Sequence, residues 1–254
     1  MGPDVFGAVP EQELRRSGRR RRFDRGEVVF HRDDPGDSLH RVESGRFAAR
    51  VITPLGDSAT VSLHGPGDVF GLLAVLSPAG RRTATVVALE RAETLAIPRS
   101  AFLHLRAAHP EVRDAVEQVL VSQVAATTDR LVEALYAPVA VRVRAHLIQL
   151  AALYGDLTTS EVTIPLSQEH LAGLSGTTRE TVNRVLKQEQ ERGSVRLARS
   201  RIVAMPALLE GRPALGGDVV TAAAGSRWGG DEGPAVADPS PFRGPNVRVR
   251  PRGP

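Results

Sequence analysis

The chain has 254 residues, with 33 Lys and Arg against 29 Asp and Glu, a formal net charge of +4, 41% hydrophobic residues and no cysteine. That length carries two domains of ordinary size. The absence of thiols excludes disulfides, cysteine-held iron–sulfur clusters and thiolate zinc sites. No apolar run approaches membrane length and no apolar leader core opens the chain, so the expected compartment is the cytoplasm and no membrane partner is expected. A pI near 10.4 is compatible with nucleic-acid binding without establishing it.

Residues 1 to 22 begin with a short amphipathic piece. It leads into the basic run Arg15-Arg16 and Arg19 to Arg22, which reads as a solvated helix end and loop, with a phosphate-binding arm as the alternative. From Phe23 to about Pro98 the composition turns β-rich. Val28-Phe30, Leu39-Val42, Phe47-Ile52, Thr60-Leu63, Thr83-Leu89 and Thr94-Ile97 alternate with turns at Gly26, Gly36, Gly45, Gly56, Gly65 and Gly67. Spacing of roughly ten residues predicts a sandwich or barrel. A short helix follows over Ala101 to Ala107. A long one starts at His109-Pro110, with Val112, Val116, Val119, Leu120, Val124, Thr127, Leu131 and Leu135 recurring mostly every three or four residues, and no breaker before Pro138. So long a stripe predicts a coiled-coil dimer seam rather than an ordinary core helix. A further amphipathic helix is expected from Val139 to Tyr154.

Between Ile164 and Met205 the pattern changes again. Leu166, Leu171 and Leu174 share one side of a helix that Ser167 can cap, and Ser175-Gly176 breaks it. Thr177 and Glu180 have the spacing of a capping box opening a second helix. Val182, Val185 and Leu186 form its buried stripe, while Arg179, Glu180, Asn183, Arg184 and Lys187 lie largely off it. Val195-Leu197 and Ile202-Ala204 can pair as a hairpin across Ala198 to Arg201, carrying Arg196, Arg199 and Arg201. This is the order of a winged helix-turn-helix. Its charges alone would describe a solvated face. Taken as a set they describe a DNA reader, because an arginine can donate to guanine O6 and N7 and a carboxylate can accept from cytosine N4. From Gly211 to Pro254, sixteen of forty-four residues are Gly or Pro, and this stretch, with Trp228 and the Val247 to Arg252 run, reads as a disordered tail. The seven histidines show no metal-ligand spacing, and no catalytic set stands out, so the chain does not read as an enzyme.

The R-E-T-V-x-R core of Arg179 to Arg184, preceded by S/T-Q-E-x-L-A at Ser167 to Ala172, resembles the DNA-binding domain of the Crp/Fnr family of bacterial transcription regulators. Similarity extends from about Phe23 to Met205, with D-P-G-D at Asp34 to Asp37 and P-G-D-x-F-G at Pro66 to Gly71. The resemblance implies an α+β chain: a cyclic-nucleotide-binding-like β-roll over 1–108, a dimerisation helix over 109–137, a winged helix-turn-helix over 138–210, and the tail at 211–254. It implies that Arg179, Glu180 and Arg184 touch base edges and that Thr178 and Thr181 touch phosphates. The implied target is a palindrome of TGTGA-like half-sites. The implied partners are double-stranded DNA, a second copy of the chain, and RNA polymerase. Without cysteine, the family's oxygen-sensing cluster branch is excluded.

The same resemblance places an effector site in the roll. Gly71 would permit close backbone approach, and Arg82 and Thr83 would hold a phosphate, with Arg81 a less favoured substitute for Arg82. Thr127 and Thr128 of the long helix would reach the purine, one of them across the dimer. Leu72 stands where the family has the glutamate that accepts the ribose 2′-hydroxyl. Losing that acceptor costs about 1–3 kcal/mol, roughly ten- to a hundredfold in affinity. Three outcomes stay open: cyclic AMP or another cyclic nucleotide held weakly or in another pose, a different anionic effector, or a regulator that has lost ligand control. An effector would press on the long helices and shift the population toward the operator-binding arrangement. The rival reading is a nucleotide-binding module that acts through protein contacts alone.

Overall fold

The computed structural model describes residues 4–53, 56, 58–198 and 201–210. The expected disordered tail, with Trp228 and the Val247 to Arg252 run, lies outside the described residues, as does Arg199. In chain order the elements are α1 (Glu11–Arg16), β1 (Arg19–Phe23), β2 (Val28–Phe30), β3 (Ser38–Ser44), β4 (Phe47–Ile52), β5 (Ser58–His64), β6 (Val69–Phe70), α2 (Leu72–Leu76), β7 (Thr85–Ala88), β8 (Ala92–Pro98) and α3 (Arg99–Ala108). They continue as α4 (Pro110–Tyr136), α5 (Val139–Tyr154), β9 (Val162–Ile164), α6 (Gln168–Ser175), α7 (Arg179–Glu191), β10 (Val195–Ala198) and β11 (Arg201–Ala204).

The β-rich half forms two antiparallel sheets, ordered β1-β8-β3-β6 and β2-β7-β4-β5. Their facing sides bury Phe23, Val42, Phe47, Phe70 and Val86. Phe23 meets Phe47 edge-on at 5.7 Å, a geometry that favours aromatic pairs beyond area burial alone. His40 lies in the same core, stacked 5.1 Å from Phe70, with Nδ1 3.0 Å from Thr94 Oγ1. Burial pushes its imidazole down to about 3, so the ring is neutral at physiological pH.

The arginine run corrects the loop expectation. Arg19 to Arg22 form β1, paired residue for residue with β8 from Arg19 opposite Ala96 to Phe23 opposite Ala92. β1 is an edge strand, where charged side chains are tolerated and discourage edge-to-edge pairing. Glu93 receives Arg22 at 3.0 Å and Arg20 at 3.2 Å, and buried Phe23 anchors the end.

α4 runs for 27 residues but buries only Val112 and Val116. Both join the apolar cluster of Phe6, Leu14, Phe102 and Leu105 beneath the roll. Beyond them Val121, Val124, Leu131 and Leu135 are 59–70% exposed in the protomer. With Thr128 they follow alternating steps of three and four residues, the spacing of a coiled-coil seam.

A third core holds the C-terminal half together. Val143, Leu147 and Leu150 of α5 pack with Ile164, Leu171, Val182, Leu186 and Ile202. The expected two-stranded wing is a three-stranded sheet, ordered β10-β11-β9, because Val162 to Ile164 pair with Ile202 to Ala204. A three-residue strand is too short to show a period of two.

Candidate nucleic-acid interface and effector cavity

The helix-turn-helix is built by local chemistry. Ser167 caps α6, its Oγ accepting from the His170 backbone N–H. Gly176 closes the helix at φ 57°, the left-handed conformation that favours glycine. Arg142 of α5 binds this turn through Nε to Ser175 O at 3.1 Å and fixes the start of its own helix through Nη1 to Ala137 O at 2.9 Å. The cap of α7 is one residue later than the expected Thr177–Glu180 box. Thr178 is the N-cap, its Oγ1 accepting from Thr181 N at 3.3 Å and donating to Thr181 Oγ1 at 3.2 Å. Starting at Arg179 turns Val182, Val185, Leu186 and Glu189 inward.

What faces out is the expected set. Thr178, Arg179, Glu180, Arg184 and Lys187 are exposed, and Thr181 is half-exposed. A bond from its own backbone N–H, then one involving Thr178, hold the Glu180 carboxyl below the usual carboxylate range, so it is anionic at neutral pH. Among the described residues the salt bridges of this half are Arg144–Glu189–Arg192 and Arg196–Glu161, away from the outward charges of Arg179, Glu180 and Arg184. The starts of α6 and α7 and the wing enclose a cleft of about 300 Å³, lined by Ser167, Gln168, Arg179 and Arg201.

The sequence reading missed Glu189, which is 3% exposed. Arg144 Nη1 reaches its Oε2 at 2.6 Å, Arg192 Nη1 its Oε1 at 2.8 Å, and Ser194 Oγ donates to Oε2 at 2.6 Å. The signal was present: Glu189 continues the inward spacing of Val182, Val185 and Leu186.

In the roll, a cavity of about 100 Å³ lies between the sheets and α4. It gathers four of the expected effector residues, Gly71, Leu72, Arg82 and Thr83, together with Ser62, His64 and Gln123. Gly71 has φ 85°, the left-handed region that favours glycine, and a Cβ there would stand 2.6 Å from Arg82 Nη1 and 3.2 Å from Ser38 O, so a side chain here would displace the guanidinium. Arg82 is 3% exposed. Nη1 donates to Ser38 O at 2.6 Å, Nη2 pairs with Asp37 at 3.2 Å, and the guanidinium lies 4.0 Å over Phe30. Its buried Nε has no partner. Burial lowers the Arg82 pKa, opposed by Asp37.

Leu72 is 5% exposed and packs with Leu39, Val75 and Phe102, so this position has become part of the core. Burial also holds His64 down to about 4, so no second cation lines the cavity from that side. Thr127 and Thr128 are not brought in by the single protomer. Both are exposed, and their hydroxyls donate to Gln123 O at 2.7 Å and Val124 O at 3.1 Å. Gln123 and Val119, one and two turns earlier, reach the cavity instead. The residues present therefore fit an anion, through Arg82, better than they fit a ribose.

A winged helix-turn-helix with an outward charged helix, carried on a double-sheet roll with a buried arginine in its cavity, defines a DNA-binding protein with a sensor-type domain. Residues 20–109 match the cyclic nucleotide-binding domain family, and residues 141–210 match the Crp-like helix-turn-helix domain family. The CRP-like cAMP-activated global transcriptional regulator of Mycobacterium tuberculosis is 33% identical over 177 residues, 69% of this chain and 79% of that protein. The cyclic AMP receptor protein of Thermus thermophilus is 32% identical over 212 residues, 82% of this chain and 95% of that one. The c-di-GMP-responsive regulator CLP of Xanthomonas campestris shares the fold at a TM-score of 0.67 and 20% identity, over 76% of this chain and 97% of that one. The chain belongs to the Crp/Fnr family and is a DNA-binding transcription regulator. Among the described residues no helix is long and apolar enough to cross a membrane.

Proposed function

We propose that the chain is a cytoplasmic homodimer that reads a palindromic operator, with one α7 in each half-site and RNA polymerase as the machinery it addresses. Arg179 and Arg184 donate to guanine edges, and Glu180 accepts from cytosine. Thr178, Thr181 and the wing's Arg201 meet phosphates. The observation that carries this reading is the outward set Arg179, Glu180 and Arg184 on a helix whose opposite face is fully packed. Replacing Arg179 by Ala removes a bidentate base contact and is expected to cost about 1–3 kcal/mol at the cognate site, with relaxed preference at one base pair. Fluorescence anisotropy on operator and single-base variants checks this. Salt dependence supplies the class test: log K falls with log salt by about 0.9 per phosphate neutralised. A binding reaction without that slope would favour the protein-contact module.

The roll's ligand is an anion held at Arg82 and Thr83, in contact with α4 through Gln123 and, in the dimer, with Thr127 and Thr128. The DNA-reading reading stands whether or not a ligand is needed. A cyclic nucleotide such as cyclic AMP supplies the anion but finds no acceptor for its 2′-hydroxyl at Leu72. Leu72 both lines the cavity and packs in the core, so Leu72→Glu restores that acceptor at a cost in stability; in protein that stays folded, as circular dichroism checks, it is expected to raise cyclic AMP affinity roughly ten- to a hundredfold. Calorimetric titration of both proteins measures it. Equal affinities would place the ligand's contacts elsewhere.

A further inference from the structure

The lining of the roll's cavity narrows what it can hold. Among the described residues its one charged side chain is Arg82, and no Asp or Glu lines it. His64 is neutral, and Ser62 Oγ lies 3.0 Å from its Nε2, so these two satisfy each other. The neighbouring Arg81 donates to Asp33 O at 3.0 Å and does not line the cavity. Thr83 and Gln123 are the remaining polar side chains, and the rest of the wall is apolar, with the Phe70 ring 5.9 Å from that of Phe30. At about 100 Å³ the cavity lies below the range of about 300–1,000 Å³ usual for drug-sized ligands. An apolar hole of about 150 Å³ holds benzene, so an occupant of that size needs only a small adjustment of the walls.

A buried guanidinium needs a counter-charge. In the protomer Asp37 supplies it from outside the cavity: its Oδ1 accepts from Arg82 Nη2 at 3.2 Å, yet its side chain is 81% exposed. An ion pair with so exposed a member contributes little, because water rehydrates the carboxylate when it leaves. Arg82 Nε is buried without a partner, so the guanidinium has room for a further acceptor. An entering anion therefore exchanges one negative charge for another. A carboxylate keeps the balance. A phosphate monoester carries about −1.5 to −2 at pH 7, and no second cation lines the cavity to take the surplus. A cyclic phosphodiester meets the charge condition but brings a sugar hydroxyl that has no acceptor at Leu72.

We propose that the cavity takes a small monocarboxylate with an apolar body, whose carboxylate replaces Asp37 on Arg82 while its body packs against Phe70, Leu72 and Val119. The inference rests on the reading of Arg82 as the anion site and names the class of anion. Leu72 becomes a specificity residue: the side chain that deprives a ribose of its acceptor gives this ligand an apolar wall. Asp37 becomes a built-in competitor that lowers the affinity of every anion reaching Arg82. Planar carboxylates suit the guanidinium fork, and the free hydroxyl of Thr83 and the amide of Gln123 are donors for the second oxygen.

Calorimetric titration of the full-length protein tests this with benzoate and hexanoate as aryl and alkyl monocarboxylates, benzyl alcohol as the uncharged body, succinate as the doubly charged acid, and cyclic AMP. At least one monocarboxylate is expected to bind, about tenfold or more tighter than benzyl alcohol, which lacks the charge-assisted bonds, and than succinate, whose second charge has no partner. Asp37→Asn changes an exposed side chain and is expected to tighten that monocarboxylate about two- to fivefold. Leu72→Glu, in protein that circular dichroism shows to be folded, is expected to weaken it about tenfold or more by placing a second carboxylate in the cavity, the opposite of its effect on cyclic AMP. Benzyl alcohol or succinate binding as tightly as the monocarboxylate, no gain from Asp37→Asn, or no loss from Leu72→Glu overturns the proposal. So does failure of both monocarboxylates to bind wild type and Asp37→Asn. If cyclic AMP then still binds and Leu72→Glu tightens it, the anion site stands without this ligand class; if no anionic probe binds any of the proteins, both readings fall.

Discussion

Replacing Glu189 by Ala is expected to destabilise the DNA-reading half by about 3–5 kcal/mol, because it strands a buried guanidinium. The side chain of Arg144 is 13% exposed and that of Glu189 4%. Arg144 also donates from Nη2 to Leu208 O at 2.8 Å and to Glu210 O. Those carbonyls keep part of its hydrogen bonding but none of its charge balance, so the lower end of the range is expected. Urea denaturation measures the loss, and a loss below about 1 kcal/mol would show that water replaces the carboxylate. The double variant Arg144→Leu with Glu189→Leu should recover most of the stability, since replacing both members of a buried pair with apolar groups is often neutral. DNA affinity should fall with the single variant and stay low in the double one. Ser194 donates to Glu189 immediately before β10, so losing the carboxylate loosens the wing as well as the core.

What the sequence disclosed and what it hid divide by range of interaction. The helix-turn-helix was legible because each signal is local: Ser167 caps within three residues, Gly176 takes the left-handed turn, and the inward stripe of α7 repeats at helical spacing. The cap shifted from Thr177 to Thr178 because two adjacent threonines can both serve, and the buried face of Val182 and Val185 decides between them. β1 was hidden because its partner β8 lies over seventy residues away and its four arginines carry no apolar alternation. β6 and β9 were too short to show a period. In the roll, Gly71, Arg82 and Thr83 were legible as a motif. The loss of Leu72 to the core was legible only as a departure, since its burial against Phe102 is a tertiary fact. The packing of α5 and α6 against β4, β5 and β7 left no sequence signal except Gly173, a glycine inside an otherwise good helix, where a Cβ would stand 2.7 Å from Ser58 O.

Replacing Leu131 by Glu is expected to separate the dimer and, with it, high-affinity operator binding. A core helix of the sensor domain would bury its apolar stripe in its own protomer. α4 leaves Val121 70%, Val124 69%, Leu131 59% and Leu135 66% exposed. A patch of this kind along a helix is normally covered by a partner, and its alternating steps of three and four residues are why the proposed partner is a second copy of the same helix. Two symmetry-related glutamates would then face each other across an apolar seam, each losing hydration without a counter-ion. A dimer dissociation constant raised about a thousandfold corresponds to about 4 kcal/mol, within reach of that penalty. Sedimentation velocity at micromolar protein should show a monomer. Anisotropy should show palindrome affinity reduced to that of a single half-site, because one reading helix then acts alone. In the proposed dimer Thr128 lies on the seam between Val124 and Leu131, so the proposed effector would meet both subunits there. If Leu131→Glu remained a dimer, the seam would lie on another face of α4 and Thr128 would lose its place in the effector site. If instead the monomer bound the palindrome as tightly as wild type, one reader would suffice and the operator would not be a palindrome.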